Sequence, residues 1–251
     1  MSTLIQIVTA SAIILAADSK MVDTYSNTLG HVTKIVSLSP TVAVAGCDLF
    51  KADATVTDDS FSPPRIYELN YNFVDWAKQF ADFSDPIEAT NSIAEGARKT
   101  FANFGFLIAA KAFRKRSFLA EYYVAGYTAQ SIPLIFKISI PIDWENAKIL
   151  DPQIQTIFRV SNTRHLTGFV GAGCTHNAID RVFRKDGEPY KRATMLQATL
   201  FDKLFAQQDL TIDEAQRLAT ALVTVEAEFT PNTVGLPAKT VVIAKPSTPL
   251  K

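Results

Sequence analysis

The start of the chain shows two short apolar runs separated by small polar residues. Thr3 to Val8 and Ala12 to Ala17 are both apolar, and Thr9-Ala10-Ser11 lies between them. Two such runs around a small turn predict a β-hairpin. With Ala10 at the centre of the turn, residues whose numbers sum to 20 face each other. Ser2 is then opposite Asp18, with the two Cβ atoms about 5 Å apart.

A second hairpin is predicted in KIVSLSPTVAVAG, with Ser39-Pro40 as its turn. Proline suits a turn because its φ angle is already restricted. Pairing about this turn places Lys34 opposite Ala45 and beside Gly46. A hydroxyl, a carboxylate, an ammonium group and a glycine would then meet at one end of a sheet. This placement depends on register, because a slip of one residue turns every side chain of a strand to the other face.

The rest of the chain alternates between helical and strand patterns. The segment near 51–72 is polar and contains prolines, which indicates a loop or insertion. Apolar residues at helical spacing predict a helix from Phe73, and Asp85 before Pro86 caps a second one. The later predictions are two strands (FLAEYYVAGYTAQ and IPLIFKISI), a helical region from about Cys174 to Gln208 broken by a turn at 185–189, a helix capped by Thr211 and Glu214, and a last strand from Thr240 to Ala244. Consecutive hairpins with grouped helices favour one α+β domain over residues 1–251, a four-layer α-β-β-α sandwich of two mainly antiparallel sheets.

Composition and charge narrow the function classes. The chain carries 25 basic and 25 acidic residues among 251, which gives no net charge to attract nucleic acid or an anionic membrane. The apolar start has no Lys or Arg before Lys20 and is interrupted by Gln6, Thr9 and Ser11. It therefore fits a secretion signal or a membrane span poorly, and we expect a cytoplasmic protein.

The cysteines and histidines predict no cofactor and no metal site. Two cysteines, Cys47 and Cys174, form no disulfide framework and are compatible with a reducing compartment. Cys47 is interpreted as a small packed residue. The three histidines are scattered, and the pair His165 and His176 is weak evidence for a metal.

Several segments together resemble the β-type subunits of proteasomes and their bacterial relatives, which are N-terminal nucleophile hydrolases. SAIILAADSK followed by HVTKIVSLSPTVAVAG is similar to the first half of these subunits. GFVGAGCTHNAIDRVF resembles their glycine- and serine-containing turn and the helix after it. TIDEAQRLATALVTVEAEF and LPAKTVVIAK resemble the next helix and a late strand. The order is that of the family over most of the chain, with weaker matches at 51–73 and 141–160.

The resemblance implies roles for individual residues. Ser2 takes the place of the N-terminal threonine, Asp18 that of the active-site aspartate, Lys34 that of the active-site lysine and Gly46 that of the oxyanion-hole glycine. Cys174 stands where many members have a serine that supports the nucleophile. Lys20 stands where arginine is common, and Thr230 to Thr233 (TPNT) replaces an aspartate followed three residues later by serine.

These roles imply hydrolysis of amide or peptide bonds by Ser2 after removal of Met1. The freed α-amine would act as base, Lys34 held by Asp18 would lower the proton affinity of the nucleophile, and the Gly46 N–H would stabilise the oxyanion. The resemblance also implies a homo-oligomeric ring, with an unfoldase partner left open. Two alternatives remain: a catalytically inactive scaffold subunit of the same fold, and an Asp18–Lys34 pair that only stabilises strand ends.

Overall fold

A computed structural model describes residues 2–22, 28–105, 116–159, 169–174, 177–206 and 208–247. For residues 22, 56, 58, 169–174 and 177 it describes the main chain alone. The strands are β1 (Thr3–Val8), β2 (Ala12–Ala17), β3 (Lys20–Val22), β4 (Thr28–His31), β5 (Ile35–Ser39), β6 (Val42–Cys47), β7 (Lys51–Asp58), β8 (Arg65–Asn72), β9 (Phe118–Tyr127), β10 (Pro133–Asp143), β11 (Lys148–Ile149), β12 (Gln153–Arg159), β13 (Phe169–Cys174) and β14 (Lys239–Ala244). The helices are α1 (Phe73–Lys78), α2 (Pro86–Phe101), α3 (Asn177–Phe183), α4 (Gly187–Phe205) and α5 (Ile212–Phe229).

Within the described residues, most strands belong to two antiparallel sheets. One sheet has the order β13-β1-β2-β14. The other has the order β11-β10-β9-β6-β5, with β12 also paired to β10. The short pairs β3-β4 and β7-β8 are separate. The prediction of a mixed α/β fold with antiparallel sheets is confirmed.

Strand alternation distributes the apolar side chains among three buried clusters. In β1, Ile5 and Ile7 pack with residues of α3, α4 and α5, whereas Leu4 and Val8 join a cluster with residues of β6 and β9. This division follows from the two-residue period of a strand. A third cluster joins β6, β9 and β10 to α1 and α2.

The first hairpin forms where the sequence predicts it, but its register differs by one residue. Leu4 pairs with Ala17, so facing numbers sum to 21 rather than 20. The cause is the turn, in which the Thr9 N–H donates to the Ala12 carbonyl at 2.8 Å. The Thr9 hydroxyl also accepts from the Ala12 N–H at 3.0 Å. The loop therefore has two residues, and the prediction that Ser2 lies directly opposite Asp18 is wrong.

The second hairpin shows the same one-residue difference. Ile35, rather than Lys34, pairs with Ala45, and Lys34 is level with Gly46. The pairing shifts between Ser37 and Ser39. An extra residue on one strand displaces the partners beyond it, and sequence spacing does not reveal it.

The segment near 51–72 is a hairpin rather than a loop. β7 and β8 pair along their whole length, from Lys51 with Asn72 to Asp58 with Arg65. Ala54 and Tyr71 are buried, while most other described side chains of the hairpin are exposed or half-buried. A largely solvated hairpin has few apolar positions, so its alternation is weak in the sequence.

The predicted helix caps are present. The Asp85 carboxylate accepts from the N–H groups of Ile87 and Glu88 at 2.7 and 3.1 Å. Thr211 and Glu214 form a reciprocal capping box at the start of α5. Such caps satisfy backbone donors that a helix start leaves without partners. None of the helices in the described residues is long and apolar enough to cross a membrane.

Candidate active site

Ser2, Asp18 and Lys34 meet at one end of the two sheets. The Lys34 ammonium donates to the Ser2 hydroxyl at 3.0 Å and to Asp18 Oδ1 at 2.9 Å. All three residues are buried, with exposed fractions of 1% for Ser2 and Asp18 and 2% for Lys34. The structure therefore brings together the hydroxyl, carboxylate and ammonium groups that the sequence places at this end.

The ends of three strands position these groups. Ser2 directly precedes β1, Asp18 directly follows β2, and Lys34 directly precedes β5. The Asp18 carboxylate accepts from the backbone N–H groups of Thr3 at 2.9 Å, Lys20 at 3.2 Å and Gly235 at 3.3 Å. Hydrogen bonds to both carboxylate oxygens hold the group in one orientation, which in turn orients Lys34.

Burial dominates the electrostatics of Lys34. It lowers the pKa of Lys34 below its usual value of 10.5, and the charge and hydrogen bond of Asp18 and the charge of Asp48 partly oppose this. The Phe50 ring, whose centroid is 5.1 Å from the Lys34 nitrogen, also favours the charged form. A lysine whose pKa is lowered can exchange protons with a neighbouring hydroxyl more readily than an exposed one.

We expect the pKa of Lys34 to lie below 10.5 and the free energy of unfolding to depend on pH for this reason. Between the folded-state pKa and 10.5 the unfolded chain binds more protons, so this group makes stability rise with pH through that window. The cost of burying the charge is fully present below the folded-state pKa and is lost as pH approaches 10.5. NMR titration of the lysine side chains, with Lys34→Met to assign the signal, measures the pKa. Titration at or above 10.5 would contradict the expectation.

Gly46 has a packing role that differs from the predicted one. Its N–H donates to the Lys34 carbonyl at 2.9 Å, which engages within the sheet the donor assigned to the oxyanion. A Cβ atom at this position would lie 2.8 Å from the Phe73 ring. Glycine therefore allows α1 to pack closely on β6.

The cysteine and histidine predictions have different outcomes. The Cys47 side chain is fully buried, as expected for a small packed residue, but it is disulfide-bonded, so the expectation that the cysteines form no disulfide is wrong. A count of cysteines does not show which sulfur atoms a fold brings together. The Cys174 main chain pairs with Thr3, beside the nucleophile candidate, while its side chain lies outside the described residues, as do His165 and His176.

The segment after α5 also reaches the site. The Lys20 ammonium donates to the Pro231 carbonyl at 2.5 Å, and the Ser19 N–H donates to the Gly235 carbonyl at 3.2 Å. The sequence predicts Thr230 to Thr233 as the late part of the site, whereas the contact with Asp18 comes from Gly235. A backbone donor leaves no signal in the sequence, so Gly235 could not have been found that way.

Asp48 and Phe50 are further neighbours of Lys34 that sequence reasoning missed. Both follow Gly46 closely in the segment GCDLF, which connects β6 to β7. Asp48 has a φ angle of 71°, which belongs to the left-handed region. Strain of this kind is uncommon for residues other than glycine and concentrates at functional sites. The available signal was a charged residue, Asp48, two positions after the predicted site glycine.

The arrangement is suited to activating a hydroxyl. A buried lysine with a lowered pKa contacts the Ser2 hydroxyl, and a carboxylate fixes its position. These are the components of an activated serine nucleophile. The same contacts would also serve a buried ion pair that joins the ends of β2 and β5.

Comparisons with known proteins give a structural relationship. No protein-family model and no curated protein matches the chain. The solved structure of Anbu (ancestral beta-subunit) from Yersinia bercovieri matches with a TM-score of 0.51 and 10% sequence identity, over 96% of this chain and 80% of that one. The Anbu (Gly-1) mutant from Hyphomicrobium sp. strain MC1 aligns over 96% and 81%, at 10% identity and a TM-score of 0.48. The chain therefore shares a proteasome-like fold with the Anbu of Yersinia bercovieri, which confirms the resemblance at the level of the fold.

Proposed function

We propose that the protein is a proteasome-like N-terminal nucleophile hydrolase that cleaves amide bonds of peptides, with Ser2 as nucleophile after removal of Met1. The observation that carries the proposal is the 3.0 Å contact between the Lys34 ammonium and the Ser2 hydroxyl. Lys34 is buried and held by Asp18, and its pKa is lowered. A fold shared with Anbu supports the assignment.

The reaction begins with proton transfer from the Ser2 hydroxyl. Loss of Met1 frees the Ser2 α-amine, whose reference pKa near 8 leaves part of it neutral at neutral pH. The amine takes the hydroxyl proton, directly or through one water, while Lys34 lowers the proton affinity of the oxygen. Ser2 Oγ then bonds to the amide carbon, the C–N bond breaks, and the leaving amine takes up the proton.

Water completes the turnover. The first step leaves the acyl part of the substrate as an ester on Ser2, and the α-amine now activates a water molecule by accepting its proton. Attack of this water breaks the ester and returns the hydroxyl. Division of a difficult amide hydrolysis into two easier steps is the general advantage of a covalent nucleophile.

A non-catalytic scaffold of the same fold is the second candidate. Two observations favour it. The Gly46 N–H, assigned as the oxyanion donor, donates to the Lys34 carbonyl, and the Asp18 carboxylate accepts from three backbone N–H groups at a junction of strands. In this case the buried pair contributes to stability alone. The two candidates differ in whether Ser2 becomes covalently modified.

Covalent labelling tests the proposal. We expect the intact mass of the native protein to correspond to a chain that begins at Ser2. A peptide bearing an electrophilic carbonyl should then add one equivalent to Ser2, and tandem mass spectrometry should locate the adduct. A chain that begins at Ser2 and remains unlabelled would exclude the hydrolase and leave the scaffold.

The proposal extends to domain organisation and assembly. We infer one domain over residues 1–251 with α-β-β-α layers, packed side by side with other copies in a closed homo-oligomeric ring. Repeated identical interfaces are satisfied when the symmetry closes. Light scattering that shows only monomers over working concentrations would exclude the ring and leave the fold unaffected.

A further inference from the structure

The carboxylate of Glu226 is buried deep in the molecule and hydrogen-bonded to a different helix. Glu226 belongs to α5 and has an exposed fraction of 0%. Its Oε2 atom accepts from the N–H groups of Ala178 and Ile179, both at 3.0 Å. These donors lie in the first turn of α3, where no intrahelical acceptor is available. Glu226 therefore caps the start of α3 from another helix, whereas the side chain that accepts these N–H groups usually belongs to the residue before the helix.

The other carboxylate oxygen of Glu226 contacts the end of its own helix. Glu226 Oε1 accepts from the Thr230 hydroxyl at 3.2 Å, and this hydroxyl also donates to the Glu226 carbonyl at 2.7 Å. Thr230 ends α5 and begins the turn that follows. Its carbonyl accepts from the N–H groups of Thr233 and Val234 at 3.1 and 3.0 Å. The position of Thr230 therefore determines the path of the chain up to Gly235.

Both segments held by Glu226 continue to the Ser2 site. After the turn, the Gly235 N–H donates to Asp18 Oδ2 at 3.3 Å, and the Gly235 carbonyl accepts from Ser19. On the other side, α3 follows β13, whose last residue, Cys174, pairs with Thr3 of β1. One buried carboxylate thus connects the segment beside the nucleophile to the segment that orients Asp18.

We propose that Glu226 is a positioning residue for the catalytic site, acting through Thr230 and Gly235 on Asp18 and through α3 on the chain beside Ser2. This inference rests on the proposed hydrolase function for its effect on rate. Glu226 touches neither Ser2 nor the Lys34–Asp18 pair in the contacts described. Its effect is to hold two segments at a fixed separation, so that Asp18 keeps Lys34 within reach of Ser2.

The test is Glu226→Gln, with Glu228→Gln as matched control. Glutamine keeps the size of the side chain but removes its negative charge and one of its two acceptor oxygens. The charge-assisted hydrogen bonds to the α3 amides therefore weaken, and Thr230 faces an amide group in place of a carboxylate oxygen. Glu228 lies in the same helix, faces outward and binds Arg192. We expect Glu226→Gln to lower kcat for peptide hydrolysis at least about tenfold, because small misplacements of reacting groups are costly, with KM little changed. Glu228→Gln should leave both constants unchanged.

A second measurement does not depend on catalysis. Hydrogen exchange of the amides of Thr3 and Gly235, both donors to Asp18, should accelerate in Glu226→Gln at temperatures where the fold is intact, and should not change in Glu228→Gln. If Glu226→Gln does not fold, Thr230→Val can be used, because it removes the hydrogen bond from the Thr230 hydroxyl to Glu226 and leaves the bonds to α3 in place. This variant should reproduce the faster exchange at Gly235. Exchange and kcat that match the Glu228→Gln control would overturn the positioning role. A wild-type protein without amidase activity would overturn the proposed function alone, and the exchange rates would still decide the role of Glu226.

Discussion

Ser2→Ala is expected to lower the rate of amide hydrolysis by a factor of about a thousand or more, because it removes the atom that bonds to the substrate carbonyl. The residual rate would come from groups that bind and polarise the substrate. The measurement is kcat/KM for a fluorogenic peptide, on a protein whose intact mass shows the residue at position 2 to be N-terminal. A further check is that the electrophilic peptide no longer adds to the variant.

The fold should tolerate this change. Ser2 accepts one hydrogen bond from Lys34, whose ammonium keeps its bond to Asp18. Loss of one such bond costs about 1–3 kcal/mol, so the variant should remain folded in thermal unfolding. Ser19→Ala is the matched control, since Ser19 is also a buried serine, 1% exposed, next to Asp18. Its hydroxyl lies 2.9 Å from His31 Nδ1 rather than near Lys34.

The two serine variants separate the possible outcomes. If Ser2→Ala is inactive and Ser19→Ala retains the wild-type rate, the loss is specific to the hydroxyl beside Lys34. If Ser2→Ala retains activity, the reaction takes place elsewhere, and Thr3 is the next residue to substitute. Equal loss in both variants would indicate general damage to this end of the sheets.

Asp18→Ala is expected to lower the free energy of unfolding by about 3–5 kcal/mol, because it leaves the buried ammonium of Lys34 without its counterion. The Asp18 and Lys34 side chains are 0% and 1% exposed, so water cannot replace the lost partner. The variant also removes the acceptor for the N–H groups of Thr3, Lys20 and Gly235. Urea unfolding curves measure the change.

A double-mutant cycle isolates the pair. Asp18→Ala combined with Lys34→Met should be less destabilising than the sum of the two single changes, because the double variant buries no unpaired charge. Glu95→Ala provides the contrast, since Glu95 forms an exposed pair with Arg98 whose loss should have a much smaller effect. Additive effects of the Asp18 and Lys34 changes would contradict a coupled buried pair.

Lys34→Arg separates stability from catalysis in the same pair. Arginine keeps the positive charge but is a larger planar group that does not release a proton near neutral pH. We expect the Arg variant to be more stable than Lys34→Met but to lack most of the hydrolytic activity. Full activity in Lys34→Arg would show that a positive charge at this position suffices, whatever the size and shape of the group that carries it.

The sequence by itself determined most of the secondary structure and its antiparallel pairing. The first four main strands, the caps at Asp85 and Thr211 and the break between α3 and α4 are local features. Each depends on residues within a few positions of one another, which is the range over which apolar periodicity and capping preferences act. The β7–β8 hairpin escaped prediction because a solvated hairpin has little apolar periodicity.

Tertiary structure decided the register and therefore the geometry of the site. Both N-terminal hairpins differ by one residue from the predicted pairing, because the Thr9 turn and the irregularity near Ser37 depend on hydrogen bonds that spacing does not encode. Ser2 and Asp18 nevertheless meet, because Lys34 comes from another strand and bridges them.

The sequence was sufficient to identify the residues of the site, but not the groups with which they form hydrogen bonds. Ser2, Asp18 and Lys34 could be named from their places at strand ends and from a family resemblance. The backbone donor at Gly235 and the Glu226 link between α3 and the Thr230 turn are contacts between segments far apart in the chain. Such contacts arise when the two sheets and the helices pack together, and the number of possible pairings is too large for a single sequence to specify which will form.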